Sequence, residues 1–219
     1  FKVVQFGEET FFENIHQLEP GHFMILSRDK VDIKPYWHLD YGGFKSGYSD
    51  QQAIDGFKEL FYDSIRLRLQ SDVPIGSCLS GGLDSSAIVC VANQLLFRQE
   101  TQFDRLTIGD KQKTFSACYT DPAVDERFWM HAVVNQTGAK AYETFPTSDG
   151  MFDDLEKMFW HQEEPVAGSS LYAQWCVMRE ARQNGITVML DGQGGDETMG
   201  GYQRYYWRYL AGMVRGFQL

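Results

Sequence analysis

Four short apolar runs, each separated from the next by at least one helix-length segment, constrain this chain more than any other feature. They are "VPIGSC" (residues 73–78), "TFSACY" (114–119), "AYETF" (141–145) and "ITVML" (186–190). The first and last read as strands buried on both faces, which is the habit of parallel sheets, and the two between them as further strands. The intervening segments carry helical spacing. "SSAIVCVANQLL" places Ala87, Val91 and Leu95 on one face, and a helix from Asp125 through "ERFWMHAVVNQTG" is predicted to end at Gly138. Ser148 is read as the cap of "DGMFDDLEKMFWH", with Phe152, Leu155 and Phe159 as its apolar stripe. Ser170 is read as the cap of a helix that ends at Gly185. Strands alternating with such helices require right-handed crossovers, so the predicted class is α/β with a parallel-sheet layered domain.

Ligands of such sheets bind beyond the carboxyl ends of the strands. Two of those ends carry the most glycine-rich acidic turns in the chain: Leu79 leads into "SGGLDSS", and Leu190 leads into "DGQGGDE". If their strands are neighbours, Asp84, Asp191 and Asp196 face one crevice. The first turn is not the mononucleotide loop GxxxxGKS/T, because no lysine lies near it, and its adjacent Gly81 and Gly82 break the dinucleotide pattern GxGxxG. It offers unhindered N–H groups, the hydroxyls of Ser80, Ser85 and Ser86, and the Asp84 carboxylate. A strand-to-helix turn of this kind suits a phosphate. A carboxylate beside phosphates requires a divalent cation between them, and Asp196 is the natural second ligand of Mg²⁺. A tight turn closed by a simple helix cap is the plain alternative for the first turn, and a solvated surface loop for the second.

The first forty residues differ in character. A Pro20-Gly21 turn, a run from His22 to Ser27, a polar break at Arg28-Asp29-Lys30 and a second β-prone run predict a β-hairpin. A lone hairpin is marginal in water, so this one is expected to belong to a larger sheet. "YGGFKSGYSD" (41–50) reads as a linker. Asp50 is read as the N-cap of a helix whose Ile54, Phe57, Phe61 and Ile65 face a sheet. Residues 97–113 show neither period and are predicted to be loop.

Composition narrows the function classes. A formal charge of −10 over 219 residues argues against nucleic-acid and membrane-surface binding, since both need a basic face. An anionic substrate must then be held by local geometry. Cys78, Cys90, Cys118 and Cys176 lie in apolar stretches without a CxxC pair, and the five histidines have no ligand spacing, so buried thiols and no zinc are expected. With no leader and no apolar run of about 18 residues, the expected location is the cytoplasm.

Taken in order, "FENIHQLEPGHFM…YW", "LSGGLDSS", "EEPVAGSS" (163–170) and "LDGQGGDETMGGY" (190–202) resemble the signature segments of glutamine-hydrolysing asparagine synthetases. The resemblance implies a synthetase domain of the ATP pyrophosphatase (PP-loop) type over residues 50–219. It also implies a linker at 42–49 and, at 1–41, the end of a glutaminase domain. It implies a ligase in which ATP adenylates the β-carboxylate of aspartate, pyrophosphate leaves, and ammonia from glutamine attacks the acyl-adenylate. By position, Ser80, Gly81, Gly82, Asp84 and Ser85 would hold the pyrophosphate end of ATP, with Asp84 and Asp196 on Mg²⁺. Leu79, Ala117, Asp191 and Gly192 would line the nucleoside, and Glu163, Glu164, Ser169 and Ser170 the amino-acid substrate. Against each residue of this last group stands the simpler reading of that turn as a loop with a helix cap at Ser170.

Three departures from the family pattern are visible. Gln193 stands where a glutamate is often found, and an amide takes no proton at neutral pH. The N-terminal nucleophilic cysteine and a later catalytic lysine fall outside the sequence, so a fragment without glutaminase activity is expected, inactive alone and prone to self-association as a homodimer. Two rival readings remain: an adenylating cyclase or amide ligase of secondary metabolism, and a nucleotide-binding scaffold without catalysis. A serine hydrolase is disfavoured because GxSxG is missing.

Overall fold

The computed structural model describes residues 7–39, 47–97, 109–165 and 168–215. The chain divides into two units, one of Phe1–Lys58 with Ser148–Tyr172 and the other of Glu59–Thr147 with Ala173–Leu219. The predicted loop at 97–113 and linker at 42–49 lie largely outside the described residues.

In the first unit, β1 (His22–Ser27) and β2 (Lys30–Pro35) form the predicted antiparallel hairpin, in register from His22↔Pro35 to Ser27↔Lys30 around an Arg28-Asp29 turn. The helix α1 (Asp50–Arg68) begins in this unit. Its cap is Ser49 rather than Asp50. The Gln52 N–H donates to Ser49 Oγ at 3.3 Å and the Ser49 N–H donates to Gln52 Oε1 at 2.9 Å, a reciprocal capping box. The predicted apolar stripe of α1 is only half buried: Phe61 and Ile65 join a core, while Ile54 and Phe57 are exposed. The helix crosses from one unit to the other: Ile54 and Phe57 belong to the first, Phe61 and Ile65 to the second. The helix α4 (Ser148–Gln162) is also turned from its predicted face. Met158 is fully buried and Leu155 half-buried, but Phe152 and Phe159 are exposed.

The second unit holds a four-stranded parallel sheet of β3 (Ile75–Cys78), β4 (Lys113–Ala117), β5 (Lys140–Thr144) and β6 (Val188–Leu190), in spatial order β5-β4-β3-β6. The two strands that carry the glycine-rich turns, β3 and β6, are therefore neighbours. Helices α2 (Leu83–Phe97) and α3 (Arg127–Thr137) and the later part of α5 (Ser170–Gln183) pack on the sheet, followed by α6 (Gly195–Met199) and α7 (Gln203–Arg215). Phe115 of β4 packs against Val177, Ala181 and Ile186, while Leu79 packs against Val89, Cys118 and Met130. Ile65 and Leu69 join Ile75, Val91, Leu95 and Leu190 in a third cluster. The helix α3 starts two residues later than expected: Asp125 stays outside it and accepts the Arg127 N–H at 3.0 Å, while Gly138 closes it in the left-handed conformation as predicted. No helix among the described residues is long and apolar enough to cross a membrane.

The sheet face opposite Phe115 is unusually polar. Gln112, Thr114 and Ser116 are all buried there, and so is Ser77 on β3. The Gln112 amide donates to Ser77 Oγ at 3.4 Å and to the Val89 carbonyl at 3.3 Å, and Ser116 donates to the Leu79 carbonyl at 2.6 Å. Thr114 Oγ1 is buried with no hydrogen-bond partner among the described residues. Thr114→Val keeps the shape and removes the orphaned hydroxyl, so it should stabilise the fold by about 1 kcal/mol. A lower urea midpoint for the variant would contradict this. At the start of α3, hydrogen bonds from the Arg127 side chain and then from its backbone hold Asp125 down at about 2. A carboxylate whose folded value lies below its unfolded one stabilises fully above about pH 4 and loses that contribution as the pH falls toward its folded value. Asp125→Ala should therefore lower the melting temperature at pH 7, with a smaller difference from wild type at pH 3.

Candidate functional site

Pairing of Ile75 with Val188, Gly76 with Met189 and Ser77 with Leu190 sets the ends of β3 and β6 side by side. The two turns that follow enclose a crevice of about 580 Å³. From the first turn it is lined by Ser80, Gly82, Asp84 and Ser85, and from the second by Asp191, Gly192, Gln193 and Asp196. Leu79, Gly81 and Ala117 do not line it. Leu79 is buried beneath it, with its N–H donated to Phe115 and its carbonyl accepting from Ser116, so its role is to anchor the turn. Ala117 ends β4 and packs with the Phe115 cluster.

The serines organise the first turn. Ser80 Oγ accepts the Gly82 N–H at 3.2 Å, Ser85 Oγ accepts the Ser80 N–H at 3.2 Å and lies 3.0 Å from Ser80 Oγ. The ladder of α2 opens with the Ser86 N–H donating to the Gly82 carbonyl at 3.1 Å. The preceding N–H groups, at Leu83, Asp84 and Ser85, have no acceptor inside the helix, and the positive end of its dipole lies with them.

Glycines let the second turn lie directly against the first. A Cβ on Gly195 would collide with the Asp84 carboxylate, so the backbone beside Asp196 packs on that carboxylate. A Cβ on Gly201 would likewise overlap the Asp196 carboxylate. Both aspartates are thus seated on bare backbone. Among the described residues, no hydrogen bond or ion pair engages the carboxylate of either one.

Asp191 differs, because it already has a donor. It accepts the Gly192 N–H at 2.7 Å, and Cys78 lies with it in the lining. Burial, with the charge of Asp191 added, pushes the Cys78 thiol up to about 12, so it remains protonated. Glu197 adds a fourth acid to the lining and accepts the Tyr202 hydroxyl at 2.9 Å. That hydrogen bond, followed by burial and the Glu197 charge, raises the Tyr202 phenol above its ordinary range. Among the described residues, the lining contains no lysine, arginine or histidine. Sequence reasoning did not single out Cys78, Glu197, Gly201 or Tyr202. The available signal was a second acid directly after Asp196 and the glycine pairs on either side of it.

Glu163, Glu164, Ser169 and Ser170 belong to the first unit. Glu163 follows α4 with a left-handed φ of 59° and donates its N–H to Phe159. With Glu164, Phe12, Phe159, Trp160 and Pro165 it lines a groove of about 590 Å³ in that unit. Ser170 opens α5, and the Ser169 carbonyl accepts the Tyr172 N–H at 3.1 Å. Residues 166–167 of this segment lie outside the described residues.

A family model described as asparagine synthase matches residues 56–215. A Methanocaldococcus jannaschii protein assigned as a glutamine-hydrolysing asparagine synthetase is 30% identical over 206 residues, covering 94% of this chain and 38% of its own length. Glutamine-hydrolysing asparagine synthetase 1 of Bacillus subtilis is 27% identical over 197 residues, covering 90% and 29%. A Penicillium rubens protein named amidase chyE is 27% identical over 202 residues, covering 90% and 30%. The chain spans about a third of the length of these curated relatives. The α/β architecture is that of the PP-loop synthetase domain, and the matched stretch takes in both turns and all four parallel strands. The chain belongs to the asparagine synthase family.

Proposed function

We propose that this chain carries the adenylating site of an ATP-dependent amide ligase. In this reading it activates the β-carboxylate of aspartate, releases pyrophosphate and delivers the acyl-adenylate to ammonia drawn from glutamine, giving asparagine. Residues 1–41 would then be the end of the glutaminase domain, 42–49 the linker and 50–219 part of the synthetase. The observation that carries the reading is the chemistry of the crevice among the described residues: four acids, no cationic side chain, and two carboxylates with no hydrogen-bond or ion-pair partner.

A bare triphosphate would be repelled from such a lining, so its entry demands a divalent cation, and the donor set fits Mg²⁺. Asp84 and Asp196 would hold it, and when bound it would spread the charge that builds on departing pyrophosphate. The chain itself supplies the rest. N–H groups at the start of α2 and the Ser80 and Ser85 hydroxyls orient the phosphate oxygens, because displacement at phosphorus is accelerated chiefly by positioning and fixed electrostatics. Asp191, held by the Gly192 N–H, offers a fixed acceptor in the crevice where the nucleoside would lie. Gln193 lines the crevice as a neutral amide, so it orients by hydrogen bonding and takes no proton from ammonia. Glu163, Glu164, Ser169 and Ser170 are proposed to meet the amino-acid substrate.

Gln193 also favours a second reading, in which the same adenylation serves another acid, as in adenylating ligases and cyclases of secondary metabolism. Pyrophosphate release by the full-length protein across candidate acids, with and without ammonia, separates the two. Aspartate dependence supports the first, and release triggered only by another acid supports the second.

ATP binding to the chain, followed by isothermal titration calorimetry, should require Mg²⁺. Asp84→Asn and Asp196→Asn should each weaken it roughly ten- to a hundredfold, the range for losing a charged partner. Equal binding in EDTA, or in either variant, would overturn the assignment. In the full-length protein, Asp84→Asn should abolish aspartate-dependent pyrophosphate exchange, and wild-type exchange would refute its role.

A further inference from the structure

Asp196 sits on a very short helix, α6, which ends at Gly200 in a left-handed turn where the Gly200 and Gly201 N–H groups both donate to the Asp196 carbonyl. Such a helix has too few hydrogen bonds to hold its own geometry. The side chain of Asp196 nevertheless has a defined seat, because Gly201 lies directly against its carboxylate. The position of Gly201 thus decides where that carboxylate sits, and something must fix Gly201.

The residue after Gly201 is Tyr202, and its hydroxyl reaches back across the turn to Glu197 Oε1 at 2.9 Å. Glu197 directly follows Asp196. The bond therefore closes a ring that runs from the neighbour of Asp196, through the Gly200-Gly201 turn, back to the neighbour of Gly201. The Tyr202 ring is itself clamped. The Arg204 guanidinium stands 4.6 Å from its centroid and 5.4 Å from that of Tyr205, and the two tyrosine rings lie 5.7 Å apart. The clamp extends the constraint into the first turn of α7, a helix of 13 residues. Both Glu197 and Tyr202 line the crevice.

From this juxtaposition we infer that Tyr202 and Glu197 form a latch across the Gly200-Gly201 turn that positions the Asp196 carboxylate for a divalent cation. Both are positioning residues. Neither needs to touch the nucleotide, and the hydroxyl bond to Glu197 also occupies one of the oxygens that would otherwise compete for the cation. The inference rests on the proposed nucleotide reading of the crevice and assigns the residues that set its metal affinity.

The test is a double-mutant cycle of Tyr202→Phe and Glu197→Ala, read by Mg²⁺ half-saturation of ATP binding and by ATP affinity at saturating Mg²⁺. Amide hydrogen exchange of a peptide covering residues 195–205 is followed in the metal-free chain. Tyr202→Phe keeps the ring and its clamp, so it isolates the hydroxyl. It should raise the Mg²⁺ half-saturation about five- to tenfold while shifting ATP affinity at saturating Mg²⁺ much less. The double variant should be no worse than the worse single one, since the two residues act through one bond. Exchange in the 195–205 peptide should speed up to the same extent in both single variants without any metal present. Multiplicative effects on Mg²⁺, or unchanged exchange, would overturn the latch while leaving Mg²⁺-dependent ATP binding by the wild type intact. Absence of that binding in the wild type would instead overturn the nucleotide reading, and the latch with it.

Discussion

The parallel pairing of β3 with β6 is the contact on which the candidate site depends. Residues 75–77 and 188–190 are more than a hundred positions apart in sequence, yet each partner strand delivers a glycine-rich acidic turn at its carboxyl end. In the order β5-β4-β3-β6 the chain reverses direction of growth at β3, since β4 and β5 are added on one side of it and β6 on the other. At such a switch point the segments leaving adjacent strands diverge and open a crevice. The sheet positions the turns, and glycine then lets them touch. With any side chain at 195, the second turn would be pushed off the Asp84 carboxylate and the two acids would separate.

Electrostatics gives that crevice its selectivity. A chain with ten more acidic than basic residues repels polyanions in general, and the crevice lining sharpens the repulsion locally. In the proposed reading, binding of an anion there would be conditional on a cation arriving with it. Such a site would discriminate against free nucleotide and against inorganic phosphate, and would tie occupancy to divalent metal concentration. The N–H groups at the start of α2 would add attraction that needs no basic side chain, without neutralising the acids that would recruit the metal.

Much of this was legible in the sequence because its signals were local. The four apolar runs became the four strands, and Gly138 and Gly185 both adopt the left-handed conformation that ends a helix. What escaped was set by long-range geometry. Periodicity does not report where one compact unit gives way to the next, and α1 crosses that boundary, with Ile54 and Phe57 exposed on the first unit's side and Phe61 and Ile65 in the second unit's core. In α4 the stripe of Phe152 and Phe159 had the correct spacing, but burial centres on Met158. The cap at Ser49 was hidden because Asp50 is an equally good capping residue by type, and only the reciprocal bonds with Gln52 decide between them. Tyr202 and Glu197 escaped for the same reason, since their bond depends on the turn between them.

The three aspartates of the crevice show how neighbouring donors divide labour among chemically identical groups. Asp191 sits where β6 ends and accepts a backbone N–H, beside the Cys78 thiol, whose proton is retained because burial and the adjacent charge both oppose ionisation. A carboxylate held by a backbone donor keeps its orientation, which suits a fixed acceptor. Asp84 and Asp196 are packed against glycine backbone instead, which supplies shape without hydrogen bonds and leaves their oxygens open to a cation. The sequence shows only four acids in two similar turns, three of them aspartates. In the proposed reading, the N–H beside Asp191 and the bare Cα beside Asp84 and Asp196 are what suit two of them to metal and the third to orientation.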